Sequence, residues 1–376
     1  MCYDSPRVRI LIDYRPALRQ RTGVGEYTHG LAAALAVRLP PEDSLTLFSS
    51  SWKDRLPHGI LPGTLQADLR VPVQFLNLAW HRLEWPPVEW LAGPVDVVQS
   101  MHPLMIPART AARLVTIHDL YFLDRPDHTA AEIRRDYPAL VSENARRADG
   151  IIVNSDYTRR RVIERLGVDG ERITVCTPGN PGWPRRAEPD KPGPILFVGT
   201  IEPRKNLHRL MEAYALLMER RADMPDLVLA GAFPDPGSDL FTGARSLAKA
   251  VDRIRLTGYV SDDERQRLYR EASMLVLPSL DEGFGIPALE AMTLGVPVVA
   301  SNRGALPEVV GGSGILVDPE DAEALAAGIG RVLDSALLRR QMADEGVARA
   351  AQFTWASSAA RLLEAYRTAY LRRGAT

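Results

Sequence analysis

The chain has 376 residues, 45% of them hydrophobic and 25% charged, with a formal net charge of -1. That length holds two domains of ordinary size, and the near-neutral balance gives no global field of the kind that gathers nucleic acid. Two cysteines, Cys2 and Cys176, exclude a disulfide framework or a thiolate metal site and fit a reducing cytosol.

Residues 1–6 carry neither a basic stretch nor an apolar core, so no signal peptide is expected and Cys2 does not read as a lipid-bearing cysteine. No apolar run reaches the ~18 residues of a spanning helix. Val8-Arg-Ile-Leu-Ile-Asp13 opens the pattern as a short apolar strand. Arg21-Thr-Gly-Val-Gly-Glu-Tyr27 follows as a glycine loop, and Tyr27 to Arg38 as a helix. Gly23 and Gly25 in that loop suit either a tight turn or main-chain N–H groups brought to a phosphate. Further strands are expected at Leu45 to Phe48, Val95 to Gln99, Leu114 to Ile117, Gly150 to Val153 and Ile173 to Val175. Helical stretches run from Ala130 to Ala148 and from Asp156 to Leu166.

Several polar residues of this half fall just after strands. His118-Asp119 ends the 114–117 strand, where a histidine either caps the edge or meets a ligand. Ser155 or Asp156 is placed to cap the next helix. Arg159, Arg160 and Arg161 read as a solvated helix face ahead of a membrane patch. Trp80, Trp85 and Trp90, beside Phe75, Leu76, Leu78 and Leu83, suit a packed core, an apolar acceptor or a membrane interface.

Residues 178–194 are dense in proline and glycine and read as a linker. The strand–helix alternation then restarts. Strands are expected at Ile195 to Val198, Leu227 to Ala230, Ile254 to Thr257, Met274 to Leu277, Val296 to Ala300 and Gly314 to Val317. Helices are expected at Leu207 to Arg221, Asp262 to Ala272, Asp321 to Leu333, Ser335 to Gln352 and Trp355 to Leu371. Alternation of this length implies two doubly wound parallel sheets, whose ligands bind at the carboxyl ends of the strands.

Two constellations in this half carry chemistry. Arg204 and Lys205 sit at the strand-to-helix crossover, where two cations suit a diphosphate; Asn206 is placed to cap the helix. Pro278-Ser-Leu-Asp-Glu-Gly-Phe-Gly-Ile-Pro-Ala-Leu-Glu290 then sets Glu282 on a loop and Glu290 in the first turn of a helix with Pro287 at its first position. Gly283 and Gly285 let main chain approach a ligand. The bland alternative is a solvated loop carboxylate and a helix-dipole partner.

On Pro203-Arg-Lys-Asn206, the Glu282 to Glu290 segment and Thr116-Ile-His-Asp119, the chain resembles the retaining glycosyltransferases of family 4, or group 1, and their mannosyltransferase-like branch. The likeness is strong from Ile195 to Pro319 and looser before. It implies an α/β fold of two Rossmann-like domains facing a central cleft (GT-B): an acceptor-side domain over 1–180, a linker over 181–194, a nucleotide-sugar domain over 195–354 and a helix over 355–376 crossing back. It implies no separate cofactor or metal; the donor is a nucleotide-diphosphate sugar, GDP-linked first and UDP-linked next, and the acceptor a glycan or lipid-linked hydroxyl.

By matching position, the resemblance gives Glu290 the ribose hydroxyls. Glu282, with the main chain of Gly283, Phe284, Gly285 and Ile286, takes the donor sugar. Arg204 and Lys205 take the diphosphate, Gly23 and Gly25 approach it, and His118 contacts the sugar. Transfer with retention is implied, in the cytoplasm or at the inner face of a membrane. Thr200 stands where many members have arginine, and Val24 separates glycines that are often adjacent. A nucleotide-sugar 2-epimerase and a non-catalytic two-lobed sugar-binding protein are the competing readings.

Overall fold

A computed structural model describes residues 7–18, 21, 23–126, 131–187, 192–232 and 251–374. The readings placed on residues 1–6 with Cys2, on Ala130 and on 188–191 of the linker lie outside them. The described chain forms two compact units, one of residues 7–179 with 354–374 and one of residues 180–353. No helix among the described residues is long and apolar enough to cross a membrane.

The first unit is built on a parallel sheet of β1 (Arg9–Asp13), β2 (Ser44–Ser50), β3 (Leu65–Leu69), β4 (Val97–Ser100), β5 (Ala112–Ile117), β6 (Gly150–Val153) and β7 (Ile173–Val175), in the order β3-β2-β1-β4-β5-β6-β7. β4 and β6 are buried throughout and β5 is buried except at Arg113, as parallel strands covered on each side are. Its helices are α1 (Gly23–Arg38), α2 (Val73–Leu83), α3 (Val88–Ala92), α4 (Tyr121–Asp124), α5 (Ala131–Arg147) and α6 (Asp156–Leu166), and the chain's last helix, α13 (Trp355–Gly374), belongs here too. The expected cap is present: Ser155 Oγ accepts from Thr158 N–H at 3.0 Å, and Gly167 closes α6 in the left-handed region. α13 is held by Ser358 Oγ donating to the Thr177 carbonyl at 2.6 Å and by Tyr366 bonding Gln99 in the core.

The second unit repeats the plan with β8 (Ile195–Val198), β9 (Leu227–Ala230), β10 (Ile254–Gly258), β11 (Met274–Leu277), β12 (Val298–Ser301) and β13 (Ile315–Val317), ordered β10-β9-β8-β11-β12-β13 and all parallel. Around it pack α7 (Leu207–Arg220), α8 (Asp262–Glu271), α9 (Ile286–Leu294), α10 (Leu306–Val310), α11 (Ala322–Asp334) and α12 (Ala336–Ala350). The Pro/Gly stretch before β8 is not an open tether where it is described. Arg186 donates to the Tyr269 and Arg270 carbonyls at 3.2 and 3.1 Å, and Arg185 pairs with Asp344 at 2.6 Å.

Three details differ from the sequence reading. α1 begins at Gly23 rather than Tyr27, so Gly23 and Gly25 occupy a helical first turn and not a loop. Pro287 is the second residue of α9, and Glu290 the fifth, one turn into the helix rather than in its first turn. β3, α2, α3, α4 and α10 are elements the apolar periodicity did not announce.

Candidate functional site

β8 and β11 are neighbours in the second sheet, so the loops that leave their carboxyl ends lie side by side. Leu280 N–H donates to the Arg204 carbonyl at 2.9 Å, tying one loop to the other. The Glu282 main chain is held from a third side, because Ala305 N–H donates to its carbonyl at 2.9 Å. Gly304 makes that approach possible: its φ is +66°, and a Cβ there would stand 2.6 Å from the Glu282 nitrogen.

So fixed, the Glu282 carboxylate accepts from Lys205 Nζ at 2.5 Å, Ser279 Oγ at 2.7 Å and Arg204 Nη1 at 3.2 Å. Burial pushes this carboxyl up, but Lys205 and Arg204 outweigh burial and bring it down to about 2. It is therefore an anion at neutral pH. Arg204 also grips Glu202 at 2.7 and 3.1 Å and donates to the Asp281 carbonyl at 3.1 Å. The structure thus brings Arg204, Lys205 and Glu282 together, with both cations oriented by protein carboxylates. Asn206 is a correction. It sits in the left-handed region (φ 56°) and makes no side-chain cap; its amide donates to the Pro278 and Pro319 carbonyls at 3.0 and 2.7 Å, joining the loops after β11 and β13.

Glu290 has a separate set of partners. Tyr269 Oη donates to it at 2.8 Å, and Arg265 pairs with it at 3.2 Å. Burial and then the Glu290 charge hold the Tyr269 phenol well above its ordinary value, so it remains a donor. Gly283, Phe284, Gly285 and Ile286 form the turn between the two acids. Phe284 faces the core, with its ring edge-to-face with Phe353 at 5.6 Å, so only its main chain can serve a ligand. Pro287 has no N–H and the Ala288 N–H goes to the Gly285 carbonyl at 2.9 Å, so α9 offers an anion fewer amides than a helix start usually does.

In the first unit, His118 follows β5. Its Nε2 lies 3.1 Å from the Met101 carbonyl and its ring meets Tyr27 edge-to-face at 5.2 Å. Burial holds the imidazole below its usual value, against the pull of that carbonyl and of Asp119. A carbonyl only accepts, so Nε2 carries the proton and the neutral ring leaves Nδ1 as an acceptor. Asn154, at the end of β6, is buried with an Oδ1 that has no hydrogen-bond partner among the described residues. Gly25 fits α1 closely under the preceding turn: a Cβ would stand 2.7 Å from the Pro16 carbonyl, so packing alone demands glycine there. The tryptophans divide. Trp80 is 3% exposed and packs on Phe48, whereas Trp85 and Trp90 are 55% and 60% exposed.

One charged cluster at this edge was not foreseen. Asp13 is fully buried and bonded twice by Arg15, at 2.7 Å each, and His102 Nε2 lies 3.2 Å from it. Leu104 N–H donates to His102 Nδ1 at 3.2 Å, so Nε2 is the protonated nitrogen. Burial pushes Asp13 up, but Arg15 and His102 hold it far below the carboxylate range. Among the described residues no group of three or more His, Cys, Asp or Glu side chains is gathered as a metal ion would need.

Comparison with known proteins agrees with this layout. The family described as Glycosyl transferases group 1 matches residues 184–349, and Glycosyltransferase Family 4 matches residues 21–180. The chain is 30% identical to O-antigen chain mannosyltransferase B of Escherichia coli, over 96% of this chain and 100% of that protein. Among solved structures it is similar to sucrose-phosphate synthase from Thermosynechococcus elongatus, with a TM-score of 0.74 and 22% identity over 96% of this chain and 98% of that one. It is also similar to Anabaena HepE in complex with UDP and glucose, with a TM-score of 0.69 and 18% identity over 96% and 99%.

Proposed function

We propose that this chain, which belongs to the group 1 glycosyltransferases of family 4 and is a hexosyltransferase, moves mannose or a like hexose from a GDP-linked donor to a glycan or lipid-linked hydroxyl. UDP-linked donors are the second choice. The observation that carries the reading is the Arg204–Lys205–Glu282 cluster, two oriented cations sharing one buried anion at the carboxyl edge of the second sheet. The mannosyl preference leans on the 30% identical relative's own name and full-length match.

Breaking the sugar–diphosphate bond puts negative charge on the leaving oxygen. Arg204 and Lys205 meet that charge, and because Glu282 and Glu202 already hold them in place, little reorganisation is needed as it develops. Glu282, with the main chain of Gly283, Phe284, Gly285 and Ile286, positions the sugar. Glu290, one turn into α9, takes the ribose hydroxyls. From the first unit, His118 offers its Nδ1 to a sugar hydroxyl, and the α1 amides at Gly23 and Gly25 serve the diphosphate. In the retaining step the bond from C1 to the phosphate oxygen breaks and the acceptor oxygen bonds C1 on the same face. The acceptor's proton passes to the departing phosphate. The chain works in the cytoplasm, with peripheral contact at a membrane's inner face where the acceptor is lipid-linked. The low cysteine content supports that compartment.

Thermal shift against GDP-, UDP-, ADP- and TDP-sugars, followed by proton NMR of the product's anomeric coupling, tests the assignment. The expected outcome is the largest shift with a GDP-sugar and an unchanged anomeric configuration. A larger shift with another base overturns the donor, and an inverted anomer overturns the retaining step.

A further inference from the structure

A second groove lies on the opposite edge of the first sheet. It is a cavity of about 360 Å³ lined by Glu84, Trp85, Trp90, Pro107, Arg109 and Arg113, among others. A smaller recess of about 50 Å³ continues from it past Glu84, Pro107 and Arg113 toward Arg147. Arg113 is the second residue of β5 and His118 follows that strand's end, so the two are roughly 17 Å apart along the strand. The groove is therefore no part of the site already described.

Its walls are built. Glu89 Oε1 accepts the N–H groups of Arg109, Thr110 and Ala111 at 2.9, 2.9 and 3.2 Å, which locks the loop that forms one side. Trp85 and Trp90 form the other, with their rings perpendicular at 6.3 Å, so that they make a corner of two indole planes. Both rings are more than half exposed, an unusual place for two tryptophans without a ligand.

The charge at the groove's floor is only partly compensated. Arg113 is half-buried and its Nε has no hydrogen-bond partner among the described residues. Burial and then the nearby Arg373 depress its ordinary value, with Asp149 and Glu84 opposing and Arg147 adding to the depression. The two acids near it are engaged elsewhere: Asp149 accepts the Arg113 main-chain N–H at 2.8 Å and lies 3.9 Å from Arg373, and Glu84 takes both Nη nitrogens of Arg147, at 2.5 and 2.7 Å. Arg109 adds a further exposed cation on the rim. A half-buried guanidinium crowded by like charges favours an anion, and indole faces favour the C–H faces of a sugar ring.

We propose that this groove is a second saccharide site, taking a pyranose that carries a phosphate or carboxylate group. The ring lies in the Trp85–Trp90 corner and its anion reaches Arg113 and Arg109. The site is separate from the donor assignment: it holds a charged glycan away from the reacting centre, and its failure would leave the transfer reading intact.

Isothermal titration with mannose 6-phosphate and with a glucuronate disaccharide, run with GDP in excess to fill any nucleotide site, tests the proposal. Inorganic phosphate, a neutral mannose disaccharide and phosphatidylglycerol vesicles are the controls. Saturable binding of the anionic sugars is expected, weakened about tenfold by Trp90→Ala and by Arg113→Gln. Should Arg113→Gln fail to fold, Arg109→Gln on the exposed rim carries the same expectation. Three results overturn it: no saturable binding of either anionic sugar; equal binding by wild type and variants; or capture of vesicles through Trp85 and Trp90 with no sugar bound.

Discussion

Asp13 and Glu282 are buried carboxylates at the carboxyl ends of parallel strands, one in each unit, and neighbouring cations ionise both. They differ in what is left over. Each nitrogen of the Arg15 guanidinium has a protein partner: Nε and Nη2 bond Asp13, and Nη1 bonds Asn77 at 2.9 Å. The Arg15 group is also covered by the Trp80 and Phe48 rings, at 5.3 and 5.8 Å. Lys205 has three donors and Glu282 takes one. The same electrostatic device is closed in the first unit and, among the described residues, open in the second, where the remaining Lys205 donors are the ones proposed to meet a ligand.

Removing one cation from each cluster tests this contrast most severely. Lys205→Ala should cut kcat/KM by about 10²–10³ with a small change in melting, since Arg204 and Ser279 still hold Glu282. Arg15→Ala should do the reverse. It leaves the buried Asp13 carboxylate with His102 as its remaining side-chain partner among the described residues, costing about 3–5 kcal/mol in urea unfolding, while the folded fraction keeps near-normal turnover. Equal kinetic damage from both would erase the distinction.

A milder perturbation uses pH. The Glu282 carboxyl is at about 2 in the folded chain against an ordinary 4.5. Its folded value is depressed, so its contribution to stability is complete above pH 4.5 and is lost as pH falls toward 2. Between pH 6 and pH 3 that loss is about 2 kcal/mol. Glu282→Gln should show an acid-induced fall in unfolding free energy, from urea titrations, that is smaller by this amount. An unaltered pH slope would mean Lys205 and Arg204 do not govern this group.

Four strands of the second unit, β8, β9, β11 and β12, were legible because each is a buried and largely apolar run, the pattern that cover on both faces requires. That Glu282, Arg204 and Lys205 meet was legible because both segments follow strands at the same edge of the sheet. Other features were hidden for physical reasons. β3 is a half-exposed edge strand carrying Asp68, so it lacks the apolar run. The start of α1 was masked by Gly23 and Gly25, which signal turns unless a close contact such as Pro16 demands them. Asp13, Arg15 and His102 meet only because β1 pairs with β4, and Gly304 matters only because its loop folds over Glu282. No spacing along the chain announces either. Asn206 illustrates a right position with a wrong partner: a capping residue by type, it bonds two distant carbonyls instead.

The open cluster is proposed to hold a diphosphate. Calorimetric titration of GDP and of guanosine against the wild-type chain and Lys205→Ala measures it directly. The wild type should bind GDP at least about tenfold more tightly than guanosine, and Lys205→Ala should remove that advantage while leaving guanosine affinity unchanged. GDP binding equally well to both proteins would contradict the claim.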